Sequence, residues 1–245
     1  MPLASEVVAA WRKLPVVDFA AIGGGRPILV LAPHPDDETL GCGGLIAEAC
    51  ARGQEVRVVV LTDGSGSHPG SKLFPPPRLA GLRRSEARAA ASALGLSDDR
   101  LTFCGLRDGT APQDGPVFAA AVAHLSALVT RLGAGLICAT WEHDPHRDHA
   151  AAHAIAAAAA RRTGARHLAY PIWGWALPPD AELPDSPMPG VRLDISRRLA
   201  AKDRAIAAHA SQIGGAIPDD ATPRLAEGLL ANFRQPFEVF LGAVG

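Results

Sequence analysis

Two short stretches of the chain concentrate side chains that can bind a metal ion or transfer a proton. The first, residues 29–44, reads LVLAPHPDDETLGCGG and places one imidazole and three carboxylates directly after an apolar run. The second, residues 141–153, reads WEHDPHRDHAAAH and holds three of the nine histidines of the chain within seven residues. Adjacent carboxylates repel each other unless a cation, a helix N-terminus or water compensates their charge. The two stretches together predict a bound divalent cation.

The residue types also suggest which ligands hold the cation. Histidine nitrogens and carboxylate oxygens suit zinc and related divalent transition metals, and a catalytic zinc site takes three protein ligands and keeps one position for water. His34 and Asp37, spaced i and i+3 at a predicted strand-to-helix turn, supply two ligands, and His149 supplies the third. His153 follows His149 at i+4, the spacing at which two histidines of one helix face the same metal, so it remains an alternative ligand.

Asp36 is not needed as a ligand and is expected to lie beside a water that the metal activates. A hydrolase needs this arrangement, because the metal lowers the pKa of the water and an adjacent carboxylate takes its proton as general base. The acids at 36–38 also have a purely structural interpretation, since acids are common in the first turn of a helix. Their occurrence together with the histidine-rich stretch favours an active site.

Strand-like and helix-like segments alternate along the first two thirds of the chain. The strands are apolar, β-branched runs of the kind that is buried on both faces of a parallel sheet. They are predicted at 27–33, 56–62, 101–106 and 135–140, and the helices at 39–52, 79–95, 116–132 and 149–162. This order is typical of an α/β fold with a Rossmann-like, doubly wound, mostly parallel sheet flanked by helices in a single domain.

The remainder of the chain is less regular. It contains two further strand-like segments, a helix-like segment and a candidate last strand, at 167–175, 191–196, 197–212 and 238–243. A Pro-rich loop at 177–190 separates the two strands. The expected domain core spans about 27–212, and a C-terminal extension spans about 213–245.

The predicted sheet would bring the candidate residues together. In such sheets, ligands bind at the carboxyl ends of the strands, where the connecting loops gather. Residues 34–38 follow the first predicted strand, and the histidine-rich stretch follows the fourth. Residues 62–64 and 107–109 follow the second and third strands. Four loops are therefore expected to share one rim.

The composition argues against several classes of protein. The chain has 24 basic and 25 acidic residues and so lacks the basic surplus of a nucleic-acid-binding protein. The N-terminal residues do not resemble a signal peptide, and no run of 18 large apolar residues suggests a membrane span. The four cysteines form no Cys-x-x-Cys pair and lie in apolar stretches, as free thiols of a reducing compartment do. We expect a cytoplasmic protein that neither inserts into a membrane nor binds nucleic acid.

These motifs resemble those of the LmbE-like, or PIG-L, family of zinc-dependent de-N-acetylases. The resemblance rests on PHPDDE at 33–38 and on the H-x-D-H pattern at 146–149. It extends to TDG, RRSEARAAASALG, YPIWGW and KDRAIAAHASQ, at 62–64, 83–95, 170–175 and 202–212. It implies Zn2+ as cofactor and removal of an N-acetyl or related N-acyl group from an amino sugar or a glucosamine-containing conjugate. Since members of the family often assemble, it also allows a homo-oligomer.

The resemblance implies roles for the residues of the two motifs. His34, Asp37 and His149 would bind the zinc ion, and Asp36 would be the general base. His146 would be a cation that stabilises the oxyanion and protonates the leaving amine. This role agrees with the chemistry, because a tetrahedral oxyanion needs a second positive group beside the metal.

The same resemblance assigns supporting residues. Asp148 would accept a hydrogen bond from a histidine and orient it. Arg84 and Asp108 resemble the arginine and aspartate that hold the glucosamine hydroxyls, and Asp144 is a further substrate-binding candidate at the rim. A tyrosine that some members use near H-x-D-H is missing, because residues 143–145 are His-Asp-Pro.

Two functions of other classes fit part of the pattern. Two histidines and one carboxylate also describe a non-haem iron oxygenase site, but such sites are mostly built on all-β barrels and have no use for Asp36. A non-catalytic sugar- or nucleotide-binding module would suit a doubly wound fold. Neither G-x-G-x-x-G nor G-K-[ST] is present as a phosphate loop, and a binding module would not need Asp36.

Overall fold

A computed structural model describes residues 1–184, 189–220 and 224–243 of the chain. Its strands are β1 (Val16–Val17), β2 (Ile28–Ala32), β3 (Val56–Thr62), β4 (Leu101–Leu106), β5 (Leu136–Thr140), β6 (Arg166–Tyr170), β7 (Gly190–Asp194) and β8 (Phe237–Leu241). Its α-helices are α1 (Ala4–Trp11), α2 (Phe19–Gly23), α3 (Asp37–Ala51), α4 (Pro76–Ala93), α5 (Gly115–Leu132), α6 (Arg147–Thr163), α7 (Leu199–Ala208), α8 (Ala210–Ile213) and α9 (Glu227–Phe233). Short 3-10 turns lie at Asp98–Arg100 and Trp173–Ala176.

The strands form one sheet in the order β1-β7-β8-β6-β5-β2-β3-β4. β8 runs antiparallel to β6 and β7, and the other pairs are parallel. The predicted α/β fold with a mostly parallel sheet flanked by helices is therefore confirmed. β2 lies between β3 and β5, so the chain leaves it towards one side of the sheet and returns on the other. The ligand crevice of a doubly wound sheet forms at such a reversal of strand order.

Both faces of the central strands are covered. Along β2, Ile28 and Val30 belong to the core beneath α3, α4 and α7, whereas Leu29 and Leu31 belong to the core beneath α5 and α6. This burial on two faces explains why the strand is apolar throughout and does not alternate.

The glycines of α3 allow close packing of the helix that follows the first motif. A Cβ at Gly41 would lie 2.1 Å from the Tyr170 ring, and one at Gly44 would lie 2.4 Å from Ile195. Distances this short cannot be accommodated without displacing the neighbour. The stretch GCGG therefore serves helix packing, in agreement with the absence of a phosphate-loop motif.

By length and composition, α5 could cross a membrane. Such a test is also passed by core helices, and α5 buries Val122, Leu125 and Val129 against the sheet and α6. This single helix is weak evidence for membrane insertion.

Several predicted boundaries are corrected by the structure. The helix predicted at 197–212 is broken at His209, whose ψ of 53° leaves the helical region and separates α7 from α8. The strand predicted at 167–175 ends at Tyr170, because Pro171 has no N–H for a ladder and a 3-10 turn follows. The chain before residue 27, for which no element was predicted, supplies α1, β1 and α2.

The C-terminal segment is part of the sheet. β8 comes from the predicted extension at 213–245 and lies between β6 and β7. In the Pro-rich loop at 177–190, residues 185–188 lie outside the described residues, as do 221–223 and 244–245 of the extension.

Candidate active site

Three side-chain atoms converge where the loop after β2 meets the start of α6. His34 Nδ1 lies 3.1 Å from Asp37 Oδ2 and 3.2 Å from His149 Nε2, and the last two atoms are 3.3 Å apart. Ligands about 2.0–2.1 Å from one tetrahedral zinc ion would be roughly 3.3 Å from each other. The three side chains are buried. This triangle of two imidazoles and one carboxylate fits a divalent metal in size and in donor type.

Two further groups of candidate ligands share His34. His146 joins His34 and His149, and Asp108 and Asp148 join His34, with their candidate ligand atoms within 4.8 Å of one another. Asp108 and Asp148 approach Nε2 of His34, whereas the triangle with Asp37 and His149 uses its Nδ1, so the triangle is a separate candidate set.

The turn between β2 and α3 presents two of these atoms. Asp37 is the first residue of α3, and its Oδ2 accepts a hydrogen bond of 3.0 Å from the backbone N–H of His34. Asp36, which precedes it, has φ 158° and ψ −28°, a conformation that residues with a Cβ rarely adopt. Glu38 Oε2 accepts the Asp36 N–H at 3.1 Å and so holds this backbone in place. The residues of this turn therefore hold both Asp37, a candidate ligand, and Asp36 in defined positions.

Asp144 contacts the ring nitrogen of His149 that is not part of the triangle. Its Oδ1 lies 3.1 Å from His149 Nδ1, and its Oδ2 accepts the backbone N–H groups of Ile172 and Trp173 at 2.9 and 2.8 Å. A carboxylate on the far nitrogen of a histidine fixes which nitrogen faces the metal. The structure therefore corrects the prediction that Asp144 binds substrate, because the side chain is buried behind a candidate ligand and does not line the cleft.

Two carboxylates lie against the other nitrogen of His34. Asp108 Oδ1 and Asp148 Oδ2 are 3.2 and 3.3 Å from His34 Nε2. Asp148 also accepts the backbone N–H groups of Gly109 and Ala111 at 2.7 and 3.0 Å, which ties the β4–α5 loop to α6. The location of Asp148 agrees with its predicted role of orienting a histidine, and the histidine it contacts is His34.

These charges shift the ionisation of the candidate ligands in the absence of metal. Burial alone would lower the pKa of His34, but Asp108, Asp148 and Asp37 raise it well above its usual value. Burial also opposes protonation of His149, but the charges of Asp37 and Asp144 raise its pKa to about 9. The site is therefore strongly anionic around its imidazoles, which favours a cation at its centre.

Asp36 occupies the cleft beside the triangle. Its Oδ1 lies 3.0 Å from Arg83 Nη2, and Arg83 also donates to the backbone oxygens of Gly64 and Pro35 at 3.0 and 3.1 Å. Burial raises the pKa of Asp36 to about 7, although the charge of Arg83 lowers it. A buried carboxylate with one oxygen held by an arginine is well placed to accept and release a proton.

His146 caps the N-terminus of α6 next to the triangle. Its ring centroid is 4.5 Å from that of His34, and its Nδ1 accepts the backbone N–H of Asp148 at 3.2 Å. An acceptor Nδ1 leaves the proton on Nε2. Burial and the nearby His34 and His149 lower the pKa of His146, so the structure favours a neutral hydrogen-bond donor over the predicted cation.

The structure does not place Arg84 in the cleft. Its guanidinium lies over the Phe103 ring, 4.9 Å from the centroid, in a neighbouring depression between α4 and β4. Arg83 lines the cleft instead and is only 3% exposed. The helical period could have found it, because Arg83 continues the buried stripe formed by Leu79, Ala87 and Ala90.

His153 is also separate from the triangle. Its Nδ1 lies 3.1 Å from the backbone oxygen of Thr140, and its Nε2 is 3.8 Å from Glu142. The alternative that His149 and His153 bind one metal at i and i+4 is therefore not supported. His143 lies beside the Trp141 ring, and its Nε2 is also 3.8 Å from Glu142.

The candidate residues open into a cleft of about 200 Å³. Part of its wall consists of residues to which the sequence motifs gave no role in the site, although Ile172, Trp173 and Gln212 lie in the family-like segments at 170–175 and 202–212. These wall residues are Gly66, Ser67, Ile172, Trp173, Gln212, Arg224 and Leu225.

Comparison with known proteins identifies a family whose matched residues include this site. The family model described as PIG-L, GlcNAc-PI de-N-acetylase, matches residues 29–160, which include the triangle, Asp36 and His146. The chain belongs to the PIG-L family. The predicted family is thereby confirmed. Membership indicates a deacetylase of GlcNAc-containing substrates and does not favour an oxygenase or a binding module.

A curated relative shows how far the similarity extends. The 1D-myo-inositol 2-acetamido-2-deoxy-alpha-D-glucopyranoside deacetylase of Actinosynnema mirum is 32% identical over 234 residues, which cover 76% of this chain and 80% of that protein. The similarity thus continues beyond the residues that the family model matches.

Solved structures share the fold at lower identity. The A40926 pseudoaglycone deacetylase Dbv21 superposes with a TM-score of 0.66 at 22% identity, over 87% of this chain and 95% of that one. The 4-carboxy-2-hydroxymuconate hydratase GalB of Pseudomonas putida KT2440 gives a TM-score of 0.59 at 21% identity, over 85% and 82%. The fold therefore carries more than one reaction, and the assignment has to rest on the site.

Proposed function

We propose that the protein is a zinc-dependent hydrolase that removes an N-acetyl or related N-acyl group from an amino sugar or a sugar conjugate. The observation that carries this proposal is the triangle of His34, Asp37 and His149 with the free carboxylate of Asp36 beside it. Two nitrogens and one oxygen suit Zn2+, which would act there as a Lewis acid that activates water and polarises the amide carbonyl.

Asp36 is the proton carrier of the proposed reaction. It accepts a proton from the attacking water and later delivers it to the nitrogen of the cleaved amide. The amide C–N bond breaks, and one water is consumed to give acetate and a free amine. Arg83 holds Asp36 Oδ1 and so directs the carboxylate during both transfers.

His146 supplies the hydrogen bond to the oxyanion. With Nδ1 accepting the Asp148 N–H, its Nε2–H is available to donate to the oxygen that becomes negative as water adds. Asp148 thus positions His146 through its backbone and His34 through its carboxylate.

Arg83 and Asp108 are the substrate-binding residues that the cleft suggests for the amino sugar. Both line the cleft beside His34 and Asp36, and each offers hydrogen bonds that a sugar hydroxyl can meet. Arg83 replaces Arg84 in this role, and Asp144 becomes a residue that positions His149.

The same proposal includes the compartment, the domain organisation and the oligomeric state of the enzyme. The four cysteines are free thiols, which agrees with a reducing cytoplasm. β8 within the sheet supports one deacetylase domain in which the core at 27–212 and the later segment fold together. A homo-oligomer remains a prediction.

The test is a screen of N-acetylated amino sugars with the zinc-loaded protein, scored by released acetate and free amine. We expect release with at least one sugar, about one zinc per chain, and loss of both zinc and activity in Asp37→Ala and His149→Ala. The matched control is Asp98→Ala, an exposed carboxylate paired with Arg88 away from the cleft. Iron-dependent oxygen consumption without amide cleavage would contradict the proposal.

A further inference from the structure

The chain beyond α8 forms a wall of the cleft that lies outside the residues matched by the family model. Arg224 and Leu225 both line the cleft, and their backbone N–H groups donate to the carbonyl oxygen of Gln212 at 2.8 and 2.9 Å. Gln212 is buried and also lines the cleft. This double hydrogen bond fixes Arg224 at a defined position on the wall.

The same region is hydrogen-bonded to the loop between β3 and α4. Asp219 accepts hydrogen bonds from Ser71 Oγ and from the backbone N–H groups of Lys72 and Leu73, at 2.7, 2.7 and 2.9 Å. The Gly66–Ser67 part of that loop also lines the cleft. Two segments far apart in sequence are thus joined into one outer wall.

The Arg224 side chain has hydrogen-bonding capacity that the described residues of the protein do not use. Its Nη2 donates to Asp220 Oδ2 at 2.5 Å, and 28% of the side chain is exposed. Its Nε is buried and has no hydrogen-bond partner within the described ranges. A buried N–H without an acceptor is unfavourable, and a ligand oxygen in the cleft would supply the acceptor.

The charged pairs of the wall indicate which class of ligand oxygen would accept a hydrogen bond from Arg224. Arg224 is paired with Asp220, and Arg83 with Asp36, so neither arginine brings a net charge to the cleft. A sugar hydroxyl suits such a pair better than an anion does, because it accepts from a guanidinium and donates to a carboxylate. Trp173 offers an aromatic surface in the same cleft, which suits the C–H groups of a ring.

We propose that Arg224, positioned by Asp220, is a specificity-determining residue that binds a neutral, polyhydroxylated group attached to the N-acetylated sugar. The inference rests on the proposed function, since it places the amide at the triangle and the attached group towards Arg224. We expect Arg224 to favour conjugates with a second hydroxylated ring over the simple amino sugar and over substrates that carry a phosphate.

The experiment compares three N-acetylated probes with the zinc-loaded protein. They are N,N′-diacetylchitobiose, N-acetylglucosamine and N-acetylglucosamine 1-phosphate. We expect wild-type protein to have the highest kcat/KM for the disaccharide. Arg224→Ala should lower kcat/KM for the disaccharide about 10- to 100-fold, mainly through KM, as expected for one hydrogen bond from a charged donor. The loss for the monosaccharide should be much smaller, so the ratio of the two kcat/KM values falls.

Two further variants separate binding from folding. Asp220→Asn keeps the size of the side chain but weakens the hold on Arg224, and we expect a smaller rise in KM for the disaccharide. Arg234→Ala removes an arginine that pairs with Glu227 on the surface of the same C-terminal part, and its selectivity should equal that of wild type. Thermal unfolding of each variant checks that the fold is intact.

Each other outcome overturns the inference. An unchanged selectivity ratio in Arg224→Ala, or an equal loss on both sugars, would mean that Arg224 does not bind the attached group. A selective loss of activity on the phosphate would show an anion-binding residue. If wild type cleaves N-acetylglucosamine but does not discriminate, this inference alone fails. If wild type cleaves no amide in the wider screen, the proposed function fails as well.

Discussion

At the scale of single residues, the neighbours Asp36, Asp37 and Glu38 have different surroundings although all three carry a carboxyl group. Asp37 faces two imidazoles, Asp36 faces an arginine, and Glu38 points back to the backbone that precedes the helix. Burial raises the pKa of Glu38 to about 8, whereas the charge of His149 lowers the pKa of Asp37 in spite of burial. One run of acids can therefore provide a ligand, a base and a backbone support.

The role of Asp36 leads to the first prediction. Asp36→Asn keeps the size of the side chain but cannot accept a proton, so kcat should fall about 10²- to 10⁴-fold. Zinc content should stay at the wild-type value, because the triangle is intact. Amide hydrolysis and metal analysis of the same sample check both statements. Turnover near the wild-type rate would move the role of base to another group such as His146.

A second prediction concerns the reassigned Asp144. Asp144→Asn removes the charge behind His149, so zinc affinity should fall about 10- to 100-fold, as for other residues that hold a histidine ligand. Competition with a chelator measures this change. When zinc is saturating, KM for the amino sugar should be close to that of wild type. A large rise in KM with unchanged zinc affinity would instead support the original prediction of substrate binding.

At the scale of elements, the site depends on how firmly α3 is held against its neighbours. Inside α3, the backbone N–H groups of Gly44 and Leu45 donate to the carboxylate of Glu238 on β8, at 2.6 and 2.9 Å. Lys202 on α7 pairs with the same carboxylate at 2.7 Å, and both side chains are 1% exposed. This buried group joins three elements around the helix that begins at Asp37.

The third prediction tests that junction. Lys202→Met leaves the Glu238 carboxylate buried without its counter-charge, and loss of one partner of a buried pair costs about 3–5 kcal/mol. Denaturant unfolding should show a decrease of that order in the free energy of unfolding. The matched control is Arg52→Met, which breaks the exposed Arg52–Glu48 pair and should cost less than about 1 kcal/mol. Equal effects of both variants would show that the buried pair does not hold the elements together.

At the scale of the whole molecule, histidines outside the site should affect stability at acidic pH. His167 at the start of β6 packs against His153, with ring centroids 4.8 Å apart. Burial lowers the pKa of His167 to about 3. The unfolded chain, in which a histidine pKa is about 6.5, therefore binds more protons between these two pH values.

The fourth prediction is that His167 lowers the stability of the folded protein as the pH falls. The contribution of neutral His167 is complete above pH 6.5 or so and is lost as the pH falls towards 3, with up to about 2 kcal/mol lost at pH 5. His167→Gln should therefore show a smaller loss of stability between pH 7 and pH 5 than wild type, measured by denaturant unfolding. His124→Gln, a change at an exposed histidine of α5, should follow wild type. Parallel curves for wild type and His167→Gln would contradict the assignment.

The sequence by itself determined the residue types of the site, the family and the alternation of strands and helices. Local patterns suffice for these, because a strand that is buried on two faces is apolar throughout and a loop at its carboxyl end can carry ligands. His34, Asp37 and His149 could be predicted as ligands without coordinates, since their types and their positions after predicted strands place them at one rim, with His153 as an alternative.

The tertiary structure decided where side chains lie when their contacts are distant in sequence. Asp144 lies behind His149 because the 172–174 backbone binds its carboxylate, whereas the inward side of Arg83 was already indicated by the helical period of α4. The wall that carries Arg224 depends on contacts between segments about 150 residues apart, such as Asp219 with Ser71. Such long-range packing leaves no periodic signal in the sequence.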